Sequence, residues 1–205
     1  MNNVTSTLTN NKNTPIVILC GGKSSRMQRD KSLLPFNDYT SLIQYQYERL
    51  KSEFTDVYIS TKKHKFDFLD SKHEDIIYDK DEEYSPIVAL QTIFETLKSE
   101  KVCIITVDTP LITTVTINKL INASLASDIT IATTSNREHN LCGVFSKNVL
   151  SFIKNMLRKN IHKVGYLLKH SRTNYLKCEN EEEFLNMNTP DDYKAALARI
   201  SLTNK

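Results

Sequence analysis

The 205-residue chain is 40% apolar and 25% charged, with 27 Lys and Arg against 24 Asp and Glu and a net charge of +3. That length suffices for one domain with a full hydrophobic core, and no apolar run approaches the roughly 20 residues that a membrane span needs. The charges read as spread along the chain, and the densest basic clusters, Lys62-Lys63-His64-Lys65 and Arg158-Lys159, are short and read as solvated surface. Neither a nucleic acid nor a membrane is therefore an expected partner. The four cysteines, Cys20, Cys103, Cys142 and Cys178, include no C-x-x-C pair, and at least three lie in apolar stretches. Such cysteines behave as small core residues in a reducing compartment, so a cytoplasmic location is expected. Of only four glycines, two are adjacent, Gly21 and Gly22.

Residues 1–14, MNNVTSTLTNNKNT, carry one cation and no apolar stretch, which predicts a disordered tail ahead of a single domain over 15–205. At Pro15 the character changes. IVILC at 16–20 is a continuous, largely β-branched apolar run, suited to a strand buried on both faces. Similar runs follow at 56–60, 75–79, 101–107, 128–134, 140–145 and 173–178. Between them lie helical spacings: Leu42, Ile43, Tyr45, Tyr47 and Leu50; then Val88, Leu90, Ile93, Phe94 and Leu97; then Ile117, Leu120, Ile121 and Leu125. Strands alternating with helices predict an α/β fold, with a mostly parallel sheet in a three-layer α/β/α sandwich.

In such a sheet ligands bind beyond the carboxyl ends of the strands, and four segments there carry candidate chemistry. LCGGKSSRMQRDK at 19–31 follows the first strand. Its paired glycines allow close backbone approach to a phosphate, and Lys23, Arg26, Arg29 and Lys31 supply cations; the alternative is a plain tight turn. It matches neither a Walker A loop nor a G-x-G-x-x-G fingerprint. Asp108 ends the fourth strand before Thr109-Pro110, placed either as a Mg²⁺ ligand or as a cap of the next helix. Asp79, followed by Asp81-Glu82-Glu83 and Ser85-Pro86, is either an acceptor for the N–H groups of a base or a capping carboxylate. In N-M-N-T-P-D-D at 186–192, Thr189 and Pro190 form a helix start. Asn186 and Asn188 lie ahead of that start, where they either ligate metal, hold an acceptor substrate or satisfy turn backbone.

The order L-x-G-G-x-x-x-R-M-x-x-D-K, then an Asp before a Pro-containing loop, then V-D-T-P, then N-x-N-T-P-D-D resembles the MobA-like nucleotidyltransferases, above all the molybdenum cofactor guanylyltransferases. The resemblance runs from about Pro15 to Leu197 and implies a Rossmann-like sheet of the nucleotide-diphospho-sugar transferase type. By resemblance, Leu19, Cys20 and Gly21 lie against a guanine nucleotide, with Gly22, Arg26 and Lys31 around its phosphates. Ser60 matches a nucleotide-contacting position, Asp79 a guanine-binding aspartate, and Asp108 an aspartate binding nucleotide and Mg²⁺. Asn186 and Asn188 match a segment on the molybdopterin side; apart from the resemblance, Lys163 and Arg158 are candidate cations for the pterin phosphate. Three positions depart from the family pattern: Gln28 replaces a glycine, Ser85-Pro86-Ile87-Val88-Ala89 stands for G-P-L-A-G, and His139-Asn140 stands for H-P.

The resemblance implies transfer of GMP from GTP to the terminal phosphate of molybdenum–molybdopterin, with Arg26, Lys31 and Asp108 as the catalytic residues and Mg²⁺ as the cofactor. It implies a monomer in transient contact with proteins that deliver or receive the cofactor. Another nucleotidyltransferase, using CTP on molybdopterin or on a sugar or alcohol phosphate, and a non-catalytic nucleotide-binding module are the alternatives. His139 and His162 are expected to be structural or surface residues.

Overall fold

A computed structural model describes residues 14–21, 30–80 and 85–203. The expected tail at 1–13, as well as Gly22, Lys23, Arg26, Gln28, Arg29 and Asp81-Glu82-Glu83, lies outside the described residues. Seven strands form one sheet: β1 (Ile16–Leu19), β2 (Val57–Thr61), β3 (Ile76–Tyr78), β4 (Lys101–Thr106), β5 (Ile129–Thr133), β6 (Glu138–Ser146) and β7 (Thr173–Lys177), in the order β3-β2-β1-β4-β6-β5-β7. Every run expected as a strand is one. The sheet is parallel except for β6, which runs antiparallel to both β4 and β5. Gly143 of β6 sits beside a register shift in β5, where a Cβ would come within 2.1 Å of the Thr130 carbonyl oxygen, so the strand closes only around a bare backbone.

Six helices are described: α1 (Leu42–Lys51), α2 (Pro86–Leu97), α3 (Thr114–Ala123), α4 (Leu150–Arg158), α5 (Val164–Lys169) and α6 (Pro190–Thr203). Their starts follow local chemistry. Ser41 accepts from the Gln44 N–H, Ser85 from that of Ile87 with Pro86 in the first turn, and Thr113 from that of Thr116. At α6 Thr189 and Asp192 cap reciprocally: the Asp192 N–H donates to Thr189 Oγ1 at 3.2 Å, and the Thr189 N–H to Asp192 Oδ2 at 2.8 Å.

Successive residues of a strand point to opposite faces, and β1 shows the result. Ile16 and Ile18 join a core cluster with residues of α1, α3 and α6, while Val17 and Leu19 join a second one with α2, α4 and α5. The three-layer α/β/α sandwich of the expectation is the observed fold. Cys20, Cys103 and Cys142 are buried free thiols and Cys178 is half-buried; burial pushes the Cys20 thiol up to about 11 and that of Cys103 to about 12, so both are apolar packing groups. Among the described residues no helix is long and apolar enough to cross a membrane.

Candidate active site

The strand order reverses about β1: β2 and β3 lie to one side of it and β4 to the other, which opens a crevice at the strands' carboxyl ends. The register aligns Leu19 with both Ser60 and Thr106, and Thr61 with Tyr78. The residues that follow therefore stand in a row: Cys20 and Gly21 after β1, Lys62 after β2, Asp79 after β3, Val107 and Asp108 after β4. Ladder bonds continue into this row, from the Cys20 N–H to the Ser60 carbonyl at 2.8 Å, the Asp79 N–H to that of Thr61 at 2.9 Å and the Val107 N–H to that of Leu19 at 3.1 Å.

Two clefts adjoin along the row. The first, about 510 Å³, is lined by Leu19, Gly21, Ser60, Lys62, Asp79 and Pro86 among others, and the second, about 600 Å³, by Asp108, Thr109, Arg137, Asn140 and Asn186 among others. Thr106 and Leu141 line both. Above Gly21 the space is open, with nothing within 4 Å of where a Cβ would stand.

In the first cleft Ser60 Oγ donates to Asp79 Oδ1 at 3.0 Å. Burial raises the Asp79 carboxyl above the usual range, against the lowering effects of the Ser60 bond and Lys62. Because Ser85 caps α2, Asp79 is not spent on that helix. Ser60 is buried and orients this carboxylate, a role that the sequence alignment of a nucleotide-contacting position left unspecified.

In the second cleft three segments meet at Asp108, those of Lys31, Thr106 and Asn186. Asp108 Oδ1 accepts from Thr106 Oγ1 at 2.5 Å and its Oδ2 from Lys31 Nζ at 3.3 Å. Lys31 Nζ also donates to Asn188 Oδ1 at 3.1 Å. With its amide nitrogen turned inward, Asn186 donates to Asp108 Oδ2 at 2.9 Å and Oδ1 at 3.1 Å. The Met187 N–H donates to the Asp108 carbonyl at 2.8 Å, which fixes the asparagine segment against β4. Since Thr113 caps α3, Asp108 is no helix cap either. Lys31, Asp108, Asn186 and Asn188 are thus brought together from positions up to 157 residues apart. Lys163 precedes α5 and lines neither cleft.

Sequence reasoning passed over Lys65. Instead of a solvated surface group, it has a side chain only 15% exposed, with its ammonium bonded to Asp30 Oδ2 at 2.6 Å and to the Cys20 carbonyl at 3.3 Å. It joins the two ends of the segment that runs from the glycine pair to Lys31. Burial raises the Asp30 carboxyl, but the bonds from Lys65 and Ser32 outweigh it and hold it below its ordinary value. Lys62 of the same cluster lines the first cleft. No sequence signal separated these two lysines from Lys63, because only the fold of the loop after β2 does so. His139 is structural as expected: it is 8% exposed and stacked on Phe184 with ring centroids 4.2 Å apart. Burial, then Arg137, pushes its pKa down to about 4, so the ring is neutral.

Comparison with known proteins agrees with this arrangement. The family of the MobA-like NTP transferase domain matches residues 16–173. The chain belongs to the MobA-like nucleotidyltransferases. It is 37% identical over 181 residues to a molybdenum cofactor guanylyltransferase of Campylobacter jejuni subsp. doylei, covering 87% of this chain and 92% of the relative. It is 34% identical over 193 residues to one of Helicobacter pylori, covering 90% and 92%. Its fold is that of the molybdopterin-guanine dinucleotide biosynthesis protein A of Archaeoglobus fulgidus, with a TM-score of 0.78 at 18% identity over 92% of this chain and 100% of the other. This MobA-like chain is an enzyme, a nucleotidyltransferase.

Proposed function

We propose that the enzyme transfers GMP from GTP to the terminal phosphate of molybdenum–molybdopterin, forming the guanine dinucleotide form of the cofactor and releasing pyrophosphate. The observation that carries this reading is the placement of Asp79 and Asp108 in two adjoining clefts along one row of strand ends. The first offers an acceptor for a base and the second a centre for phosphate chemistry. Guanine presents two neighbouring donors, N1–H and the 2-amino group, and an ionised carboxylate held by Ser60 accepts from both. Cytosine offers one amino donor beside an acceptor nitrogen and would leave half of that carboxylate unmatched. Relatives named guanylyltransferases support the same choice.

Between the clefts, Gly21 leaves room for the phosphates of the nucleotide beside Thr106 and Leu141. Lys31, held by Asp108 and Asn188, stands where it neutralises phosphate oxygens. Arg26 is proposed for the same task from the preceding segment. An oxygen of the acceptor's terminal phosphate forms the new bond to the α-phosphorus. The bond from that phosphorus to the α–β bridging oxygen breaks, and its electron pair leaves with pyrophosphate. A phosphate monoester is already ionised near neutral pH, so no protein base is required, and a buried neutral His139 is consistent with that. Asn186, Asn188 and Arg137 are the proposed acceptor-side contacts.

Mg²⁺ is the proposed divalent ion, and the residues fit it. One terminal atom of the Asn186 amide lies 2.9 and 3.1 Å from the two Asp108 carboxylate oxygens and 3.3 Å from the Asp108 carbonyl oxygen. As nitrogen that atom donates to Asp108; with the amide turned over, its oxygen and the carboxylate make an all-oxygen pair, as Mg²⁺ prefers beside waters and substrate phosphates. Bound there, the ion would offset the charge that grows on the phosphate oxygens. The deciding experiment follows pyrophosphate release in the presence of molybdenum–molybdopterin and Mg²⁺. GTP should support turnover at least tenfold better than CTP, and equal rates would refute the guanylyl assignment.

A further inference from the structure

Counted by segment, the charge of this chain is not evenly spread. Residues 139–178 hold eight of the 27 cations and none of the 24 carboxylates, leaving 19 cations against 24 carboxylates in the rest. The end of this segment lies at one edge of the sheet, because β7 is the last strand on the side away from β3, while β6 at its start pairs with β4 and α4 is tied to α2 through Lys154 and Glu95. Three strand spacings separate β7 from β4, roughly 14 Å, so β7 lies away from Asp108, whereas residues 139–142 line the second cleft and His162 Nδ1 lies 3.1 Å from Oγ of Ser85 in the first.

Three of the eight cations are neutralised internally: Lys147 by Glu100 at 3.9 Å, Lys154 by Glu95 at 2.9 Å and Arg172 by Asp128 at 3.5 Å. Arg158, Lys159, Lys163, Lys169 and Lys177 are exposed and make no ion pair among the described residues. They share a face with unusual apolar content. In β7, Asn174 donates to the Ala123 carbonyl and Leu176 packs in the cluster of α3, so Tyr175 and Lys177 point to the opposite face, that of α5. There Tyr175 is 45% and Tyr166 38% exposed. Gly165 of α5 is bare, with nothing within 4 Å of a Cβ position.

The geometry points to the α4–α5–β7 face as a docking surface for the acidic surface of a partner protein. Charge complementarity selects an acidic partner, and the aromatic geometry selects a protein over a nucleic acid. A nucleobase needs an open ring face, whereas Phe152, Tyr166 and His170 cover one another: Tyr166 and His170 stack with centroids 4.0 Å apart at 25°, and Phe152 and Tyr166 lie at 6.2 Å and 8°. Tyr166 and Tyr175 remain partly exposed beside the bare helix backbone at Gly165, with the exposed Lys169 and Lys177 in the same elements. That is the composition of a protein interface with an aromatic centre and a polar rim. The inference is independent of the nucleotide reading, since none of these residues lines either cleft.

The test titrates the full chain with a poly(Glu,Tyr) copolymer, with poly-Glu and with a 20-nucleotide single-stranded DNA, following amide NMR shifts and affinity with and without GTP. The copolymer should bind best, with shifts confined to α4, α5 and β7. The triple variant Lys159→Gln/Lys169→Gln/Lys177→Gln should lose at least tenfold in affinity for both acidic polymers. Tyr166→Ala should remove the preference for the copolymer over poly-Glu, and nucleotidyl transfer should stay within twofold of the parent in all these variants. Shifts centred on the clefts, unchanged affinity in the triple variant, or DNA binding as tight as the copolymer would each overturn the proposal. Failure of GMP transfer in the parent chain would instead count against the catalytic reading alone.

Discussion

Lys31 Nζ lies 3.3 Å from Asp108 Oδ2, so the cation proposed for phosphate and the carboxylate proposed for metal already neutralise each other. Both side chains are largely covered, at 15% and 24% exposure, so the pair separates at low cost only when a nucleotide phosphate and a metal ion replace the lost partners. Lys31→Ala and Asp108→Ala should each lower kcat by about 10²- to 10³-fold, the loss typical of removing one group that stabilises growing charge. Thermal unfolding should change little. A kcat within threefold of the parent in either variant would remove that residue from the catalytic account.

Lys65 acts one step further out. By holding Asp30 and the Cys20 carbonyl, it fixes both ends of the segment that precedes Lys31. Lys65→Met should raise KM for GTP about tenfold while kcat falls less, because the chemistry is assembled by residues that remain. Lys65→Arg, which keeps a donor pair, should restore most of the affinity. Steady-state kinetics with all three proteins decides this, and an unchanged KM in Lys65→Met would refute the role.

The contrast between Lys31 and Lys65 shows what the sequence made legible. Strands declared themselves through continuous apolar runs, and motifs at their ends named Lys31, Asp79 and Asp108 in advance, since a strand followed by a turn has a fixed site-facing end. The reversal of β6 was not visible, because the antiparallel NLCGVF carries the same apolar pattern as a buried parallel strand. Helices α4 and α5 were passed over although Ile153, Met156, Leu167 and Leu168 are buried. Lys65 was hidden for a different reason: its role depends on a meeting with Asp30 across 35 residues of sequence, and no local pattern encodes that.

Asp79 supplies a pH dependence with a definite sign. Its carboxyl is raised by burial, so it takes up a proton at a higher pH than an ordinary aspartate and then loses one acceptor site for guanine. KM for GTP should therefore rise as pH falls toward that raised value. Ser60→Ala removes a bond that favours the ionised form, so the rise should begin at higher pH in the variant. Without nucleotide the linkage runs the other way: a raised folded-state pKa means that folding gains stability as pH falls through it. Asp79→Asn should lose that gain and discriminate less against CTP. KM profiles between pH 5 and 8 check the first claim, and coincident profiles for parent and Ser60→Ala would refute it.

His139 gives the opposite stability trend. Buried against Phe184 and pushed down to about 4, it stays neutral in the folded protein at pH values where an unfolded chain protonates it near 6.5. Between about pH 6.5 and 4 the unfolded state binds a proton that the folded state refuses, and stability falls with pH across that window. The loss is complete only once pH drops below the folded value. His139→Gln removes the titrating ring, so its melting temperature should decline less than that of the parent between pH 7 and pH 5, even if its stability at pH 7 is lower through lost stacking. Comparing the two declines cancels the carboxylates that titrate in both proteins. Equal declines would show that the ring is not protected from protons by its packing.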